Sequence, residues 1–186
     1  MIDLTKKEPL QKAITIRDMT IDINCDYRTW MRFVTEYEKW VSDGCKGRLD
    51  IEYLFKYVAP IFESPEDYNG ILEFAFPKSV VPHIASDNSE PVLFYDIDGD
   101  YIYAAFMQQY GIDLICSDMH WHQFKALLNA ITAPTKLYEI MGYRSYTGDK
   151  VDEKQIRRRL KEAWLPPVCE SEEEKEAEER FNQYFN

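Results

Sequence analysis

Phe94–Tyr146 reads FYDIDGDYIYAAFMQQYGIDLICSDMHWHQFKALLNAITAPTKLYEIMGYRSY, and three helical patterns follow one another in it with almost no slack. Apolar spacing and helix-start residues predict helices over about 97–110, 118–131 and 135–145. Asp98 is the expected N-cap of the first, and Ser117 or Asp118 that of the second. Trp121, Phe124, Leu128 and Ile131 give the second helix an inward face. Aromatics are dense, several lie beside acids and amides, and no run has the residue types that bond-making chemistry needs. The stretch reads as one that packs and presents a surface.

Working outward, residues 14–24 (ITIRDMTIDIN) alternate in places and hold β-branched residues, so they predict a short hairpin turning near Arg17–Met19. Asp26 then caps a helix whose stripe is Tyr27, Trp30, Val34, Tyr37 and Val41, widened by Phe33 and Trp40. Gly44 and Gly47 end it. Ile51, Leu54, Phe55, Val58 and Phe62 predict a second helical stripe, cut near Pro60. Ser64-Pro65-Glu66-Asp67 starts another helix, with Tyr68, Ile71, Leu72, Ala75 and Phe76 on its apolar face. Residues 77–93 hold three prolines and predict a surface loop. Beyond residue 146, Asp152 is the expected cap of a helix with Ile156, Leu160, Ala163 and Trp164 inward. After Leu165-Pro166-Pro167, Ser171 and Glu174 form a capping-box pattern opening an acidic last helix. The fold class expected is mainly α: a compact multi-helix domain with a small N-terminal β-hairpin over residues 1–165, then a Pro-Pro break and acidic C-terminal helix over 166–186.

Several of these segments carry a resemblance. Asp96, Asp98 and Asp100, then Tyr101-Ile102-Tyr103-Ala104-Ala105-Phe106 and Gln109-Tyr110-Gly111-Ile112-Asp113-Leu114, form its centre. His120-Trp121, Phe124-Lys125-Ala126-Leu127-Leu128 and Ile140-Met141-Gly142-Tyr143-Arg144 extend it. Ile21-Asp22-Ile23-Asn24, Asp26-Tyr27-Arg28, Trp30 and Phe33 form a second block. Together they resemble the bacteriophage gene-product-fifteen family over roughly residues 14–150. Members tend to have a double aromatic after the position of His120, whereas here Trp121 is followed by His122. Members are encoded in tailed phages and prophages, between the genes for the major tail protein and the tape-measure protein. The resemblance therefore implies a tail-assembly chaperone that binds the tape-measure protein, with other tail proteins as further candidate partners. The alternative it implies is a structural protein retained in the phage tail or virion.

The net charge of −11 argues against a sequence-independent grip on nucleic acid or docking on an anionic membrane. The N-terminus, MIDLTKKEPL, has no apolar run of the signal-peptide kind, and no apolar run approaches the ~20 residues of a membrane span. Cys25, Cys45, Cys116 and Cys169 include no CxxC pair and are expected to be reduced thiols. For a phage protein, the compartment is the host bacterial cytoplasm.

Asp96, Asp98 and Asp100 fail as a calcium loop, because the sixth and twelfth positions hold Tyr101 and Met107. They are expected to be acids at a helix N-terminus. Cys116, Asp118, His120 and His122 suggest a metal, but in a helix residues two apart face different ways, and no closing ligand is near in sequence. No GxSxG elbow, phosphate-cradling glycine loop or distinctive carboxylate pair is present. Arg157-Arg158-Arg159 with Lys154 and Lys161 is the only basic cluster, read as solvated or paired with the acidic tail. No enzyme activity, cofactor or metal is expected. The candidate partner-binding surface is Tyr101, Tyr103, Tyr110 and Trp121, with Phe181 and Phe185 from the C-terminal helix. The tyrosines either anchor a partner, which includes a second copy in a homo-oligomer, or line two neighbouring helices.

Overall fold

The computed structural model of the chain describes residues 2, 4–8, 10–77, 91–146 and 154–166. It falls into two compact units, Met1–Ser145 and Tyr146–Asn186. That division comes earlier in the chain than the Pro166–Pro167 break.

The fold is mainly α with one N-terminal hairpin. Strands β1 (Ala13–Ile16) and β2 (Met19–Asp22) pair antiparallel, with Ile14 opposite Ile21 and Ile16 opposite Met19. Arg17 and Asp18 both take positive φ, 47° and 63°, the backbone that matches a two-residue hairpin turn to strand twist. The turn is anchored from its side chain: Arg17 pairs with Asp67 and, at 2.9 Å, with Glu63.

Helix α1 (Tyr27–Ser42) starts at Asp26, whose carboxylate accepts from the Arg28 N–H at 2.9 Å. It buries Tyr27, Trp30, Phe33 and Val34. The predicted helical stripe over 51–62 does not form a helix. Only Glu52–Leu54 make a 3₁₀ turn. The backbone there is committed elsewhere: the Asn24 N–H donates to Leu54 O (2.8 Å), Ile23 bridges Phe55, and the Lys56 N–H donates to Asp22 O (3.3 Å). Those bonds hold 54–56 beside the end of the hairpin, and Pro60 blocks helix further on.

Pro65–Tyr68 form a 3₁₀ turn that runs into α2 (Asn69–Ala75). Helix α2 lies so close to β1 that a Cβ on Gly70 would stand 2.5 Å from Thr15 O. Helices α3 (Gly99–Tyr110), α4 (Trp121–Asn129) and α5 (Lys136–Arg144) occupy the three predicted positions, each slightly shorter than expected. Gly111, at φ 66°, closes α3 by donating to Met107 O at 3.1 Å. The core is aromatic. Tyr27 and Phe106 stack on Phe124 at 4.8 and 5.2 Å, and Trp30 meets Phe74 at 4.4 Å.

In the second unit, α6 (Lys154–Trp164) forms as predicted, but its expected inward face is only partly covered. Leu160 and Trp164 are half-buried, whereas Ala163 and Ile156 are exposed, Ile156 by 69%. The expected caps Asp152 and Ser171, most of the 77–93 loop and the acidic last helix lie outside the described residues.

Candidate partner-binding groove

The signature residues hold the scaffold together. Asp98, the N-cap residue of α3, does not cap it with its side chain. Its carboxylate turns inward, accepts from the Phe94 N–H at 2.9 Å and forms a two-point ion pair with Arg144 at 2.5 and 2.9 Å. This fastens the start of α3 to the end of α5. Helix α4 is capped by His120 and not by Ser117 or Asp118, because the backbone before it is already engaged. Tyr27 N–H donates to Met119 O (3.0 Å), Trp121 N–H to Cys25 O (2.9 Å), and Arg28 to the carbonyls of Leu114, Ile115 and Ser117. The His120 Nδ1 accepts from His122 N–H at 3.0 Å, so its Nε2 carries the hydrogen that it gives to Gln11 O at 2.7 Å. His122 Nε2 gives its hydrogen to Phe74 O at 3.0 Å. Burial lowers the pKa of both rings, that of His122 to about 4, so both are neutral at pH 7.

Of the six residues expected at a partner surface, Trp121 is corrected outright. It is fully buried, and its indole N–H donates to Ala75 O at 2.9 Å. The apolar face of α4 needs that ring to fill the space between α2 and Tyr95. Tyr101, Tyr103 and Tyr110 are half-buried against the core. Tyr110 is further tied down, its hydroxyl donating to Leu127 O at 2.8 Å. Phe181 and Phe185 lie outside the described residues.

A different surface is open. A groove of about 560 Å³ lies over α1 and α2, floored by Phe33, Tyr37, Ile71 and Leu72. Trp40, Leu49, Phe62 and Tyr68 form its sides. Its lining is fixed in place. The Trp40 indole donates to Gly47 O at 3.1 Å, holding the 47–49 segment against α1. Phe62 stacks on Tyr68 at 4.5 Å. Asp67 accepts from the Glu63 and Ser64 N–H groups at 2.8 and 3.1 Å, which sets the 63–65 edge. The Arg17 guanidinium, followed by those backbone donors, holds the Asp67 carboxyl well below the usual carboxylate range. Arg48 and Glu63 contribute the charges of the lining, one of each sign. A rigid aromatic trough with few charges is chemically suited to an amphipathic helix, whose i, i+3/i+4 and i+7 side chains would enter it. Each such anchor, fully buried, contributes about 1.5–3 kcal/mol.

The sequence did contain these residues, but as stripes. Tyr37 and Trp40 read as part of α1's inward face, and Phe62 as the end of a helix that is not there. What hid the groove is that two of its sides, Leu49 and Phe62, come from irregular segments, and that the turn carrying Asp67 is tied to Arg17, 50 residues away.

The other constellations do not converge. Asp96 pairs with Lys39 at 2.7 Å, Asp98 with Arg144, and Asp100 is exposed in the first turn of α3. Among the described residues no group of three or more His, Cys, Asp or Glu is placed to hold a metal ion. Cys25, Cys45 and Cys116 are free thiols. Arg158 pairs with Glu162 at 3.1 Å, and Arg157 lies over the Tyr146 ring at 5.8 Å. No helix among the described residues is long and apolar enough to cross a membrane.

A family model described as Bacteriophage Gp15 protein matches residues 7–164. No curated protein and no solved structure matches the chain.

Proposed function

Because the chain belongs to the Bacteriophage Gp15 protein family, we propose that it is a non-enzymatic tail-assembly chaperone that binds the tape-measure protein in the host bacterial cytoplasm. The observation that carries the reading is the aromatic groove over α1 and α2. A tape-measure protein is long, helical and apolar, and it aggregates unless its exposed faces are covered before tail-tube protein surrounds it. A groove of this kind takes one apolar helical face at a time. The bound chain also adds its net charge of −11, which keeps the complex apart from other complexes. Binding requires no bond making, and release follows when the tube protein competes for the same apolar face.

The test is co-expression of the tape-measure protein of the same phage with this chain and with a Trp40→Ala, Leu49→Asp variant. The intact chain should raise the soluble yield of the tape-measure protein several-fold, and the variant should lose most of that effect. Equal insolubility with and without the intact chain refutes the chaperone reading. Purified virions provide a second readout: a chaperone is absent from them, and a fixed copy number would establish the structural alternative.

A further inference from the structure

The segment that leads into the groove is itself apolar and in part exposed. Residues 53–62 read YLFKYVAPIF, with Lys56 the single charge in ten positions. Leu54 and Phe55 turn into the core, whereas Tyr57, Val58 and Ile61 are exposed by 78%, 90% and 79%. Phe62, the next residue, already lines the groove. A protruding apolar loop and an apolar trough are therefore one continuous patch. Three large side chains at those exposures present on the order of 400 Å², comparable with the largest apolar patch a typical monomer carries. Adding the groove brings the patch toward the roughly 800 Å² that each partner contributes to a standard stable interface.

We propose that two copies of this chain associate through this face, each seating Tyr57, Val58 and Ile61 in the groove of the other. A two-fold interface needs one surface that is complementary to itself. This patch has the required parts side by side, a plug at 57–61 and a socket lined by Tyr37, Trp40, Leu49 and Tyr68. Charge favours the same choice. Each copy carries −11 overall, yet residues 53–62 contain no carboxylate, and the acid of the groove lining, Glu63, is paired with Arg17 of its own chain at 2.9 Å, so the plug brings no acid to the one in the socket. The remaining repulsion is long-range and is screened by salt. The association itself is independent of the chaperone reading. What rests on that reading is a consequence: a second copy and a client helix exclude one another from the groove, so the dimer is the resting form that shields the groove.

Sedimentation velocity on the full chain tests the association without any client. The intact protein should be dimeric in the tens-of-micromolar range. Ile61→Asp and, separately, Trp40→Ala should each weaken the dimer at least tenfold. Ile61 is exposed, so circular dichroism of Ile61→Asp should match the intact chain. Raising salt from roughly 0.05 M to 0.5 M should strengthen the dimer, because the repulsion between two copies of net charge −11 outweighs the few charges at the apolar face and is what salt screens. A monomer at ~100 µM overturns the proposal, whether the face stays bare or the chain's own C-terminal residues cover it. A dimer that Ile61→Asp leaves intact, or that salt dissolves, overturns the placement. In the co-expression assay, Ile61→Asp should solubilise the tape-measure protein at least as well as the intact chain. Loss of solubilisation by this variant would overturn the exclusion while leaving the dimer and the chaperone reading standing.

Discussion

Removing the carboxylate of Asp98 should come close to unfolding the Met1–Ser145 unit. The Asp98 and Arg144 side chains are 1% and 2% exposed, and they meet at 2.5 and 2.9 Å. Neither is an isolated ion. Asp98 also accepts from the Phe94 N–H at 2.9 Å, and Arg144 also donates to Val92 O at 3.1 Å and lies over the Phe94 ring at 5.2 Å. In Asp98→Ala the guanidinium stays buried without its carboxylate, a change that costs about 3–5 kcal/mol. The Phe94 N–H loses its acceptor, which adds up to ~1–3 kcal/mol, though the two terms share one site and do not simply sum. A total near 4–5 kcal/mol is a large fraction of the roughly 5–15 kcal/mol that holds a domain together. At roughly 2–4 °C per kcal/mol for a chain of this size, the melting temperature should fall by about 8–20 °C.

Urea and thermal unfolding followed by circular dichroism at 222 nm would measure this. Arg144→Met should be comparably damaging, since it leaves the Asp98 carboxylate buried beside one backbone donor. The double variant Asp98→Leu, Arg144→Met should recover much of the loss, because neither charge is left behind. It should not recover all of it, because Val92 O and the Phe94 N–H lose their partners in either case. A loss below about 1 kcal/mol for Asp98→Ala, or a double variant that costs the sum of the singles, would refute the reasoning.

Gly70→Ala sets two effects against each other: alanine favours a helix by about 1 kcal/mol, but its Cβ would stand 2.5 Å from a backbone oxygen, Thr15 O. The clash should win, with a net loss of roughly 1–3 kcal/mol in urea unfolding, and a stabilised variant would show that α2 moves off β1 without cost. His122 is held neutral by burial, its pKa lowered from 6.5 to about 4, so the unfolded chain binds a proton that the folded chain refuses. Its contribution is fully present above pH 6.5 and is lost as the pH falls toward 4; His122→Gln should flatten that part of the stability–pH curve, and an unchanged slope would count against a buried neutral ring. Deleting residues 168–186 should leave the helical dichroism and melting transition of the Met1–Ser145 unit in place while weakening a tape-measure pull-down. An unfolded truncation would show that those residues belong to the core, and unchanged binding that they take no part in it.

What was legible in the sequence was whatever a local pattern specifies. The hairpin follows from alternation around Arg17-Asp18, and α1 from the Asp26 cap and the Tyr27–Val34 stripe. Helices α3, α4 and α5 follow from apolar spacing closed by Gly111 and by the turns between them. What failed depended on distant partners. Residues 51–62 have a helical stripe, but their backbone is bonded to Asp22 and Asn24, thirty residues or so away. Asp98 has the position of a cap, but Arg144, its partner, is 46 residues on. Trp121 reads both as part of α4's inward face and as a surface anchor; the inward reading holds, and what its neighbourhood does not reveal is that Ala75 O accepts from its N–H.

The same distinction separates the family signature from the proposed binding surface. Asp98, Arg144, Tyr27, Arg28, Tyr110 and Trp121 carry the resemblance, and each is spent on joining elements of the fold. Of the motif residues the groove takes only Phe33; its other lining residues come from 37–72, which lie within the matched family region but outside the motifs that join α1, α3, α4 and α5. Stability and binding should therefore respond to different residues. Signature substitutions other than at Phe33 should lower the unfolding free energy and reduce partner binding only through the loss of folded protein. Substitution of Ile61 should leave unfolding nearly unchanged and act on association directly, because that side chain is 79% exposed and completes no element of the core, whereas Trp40 and Leu49 also hold the 47–49 segment on α1 and substitutions there should cost some stability as well.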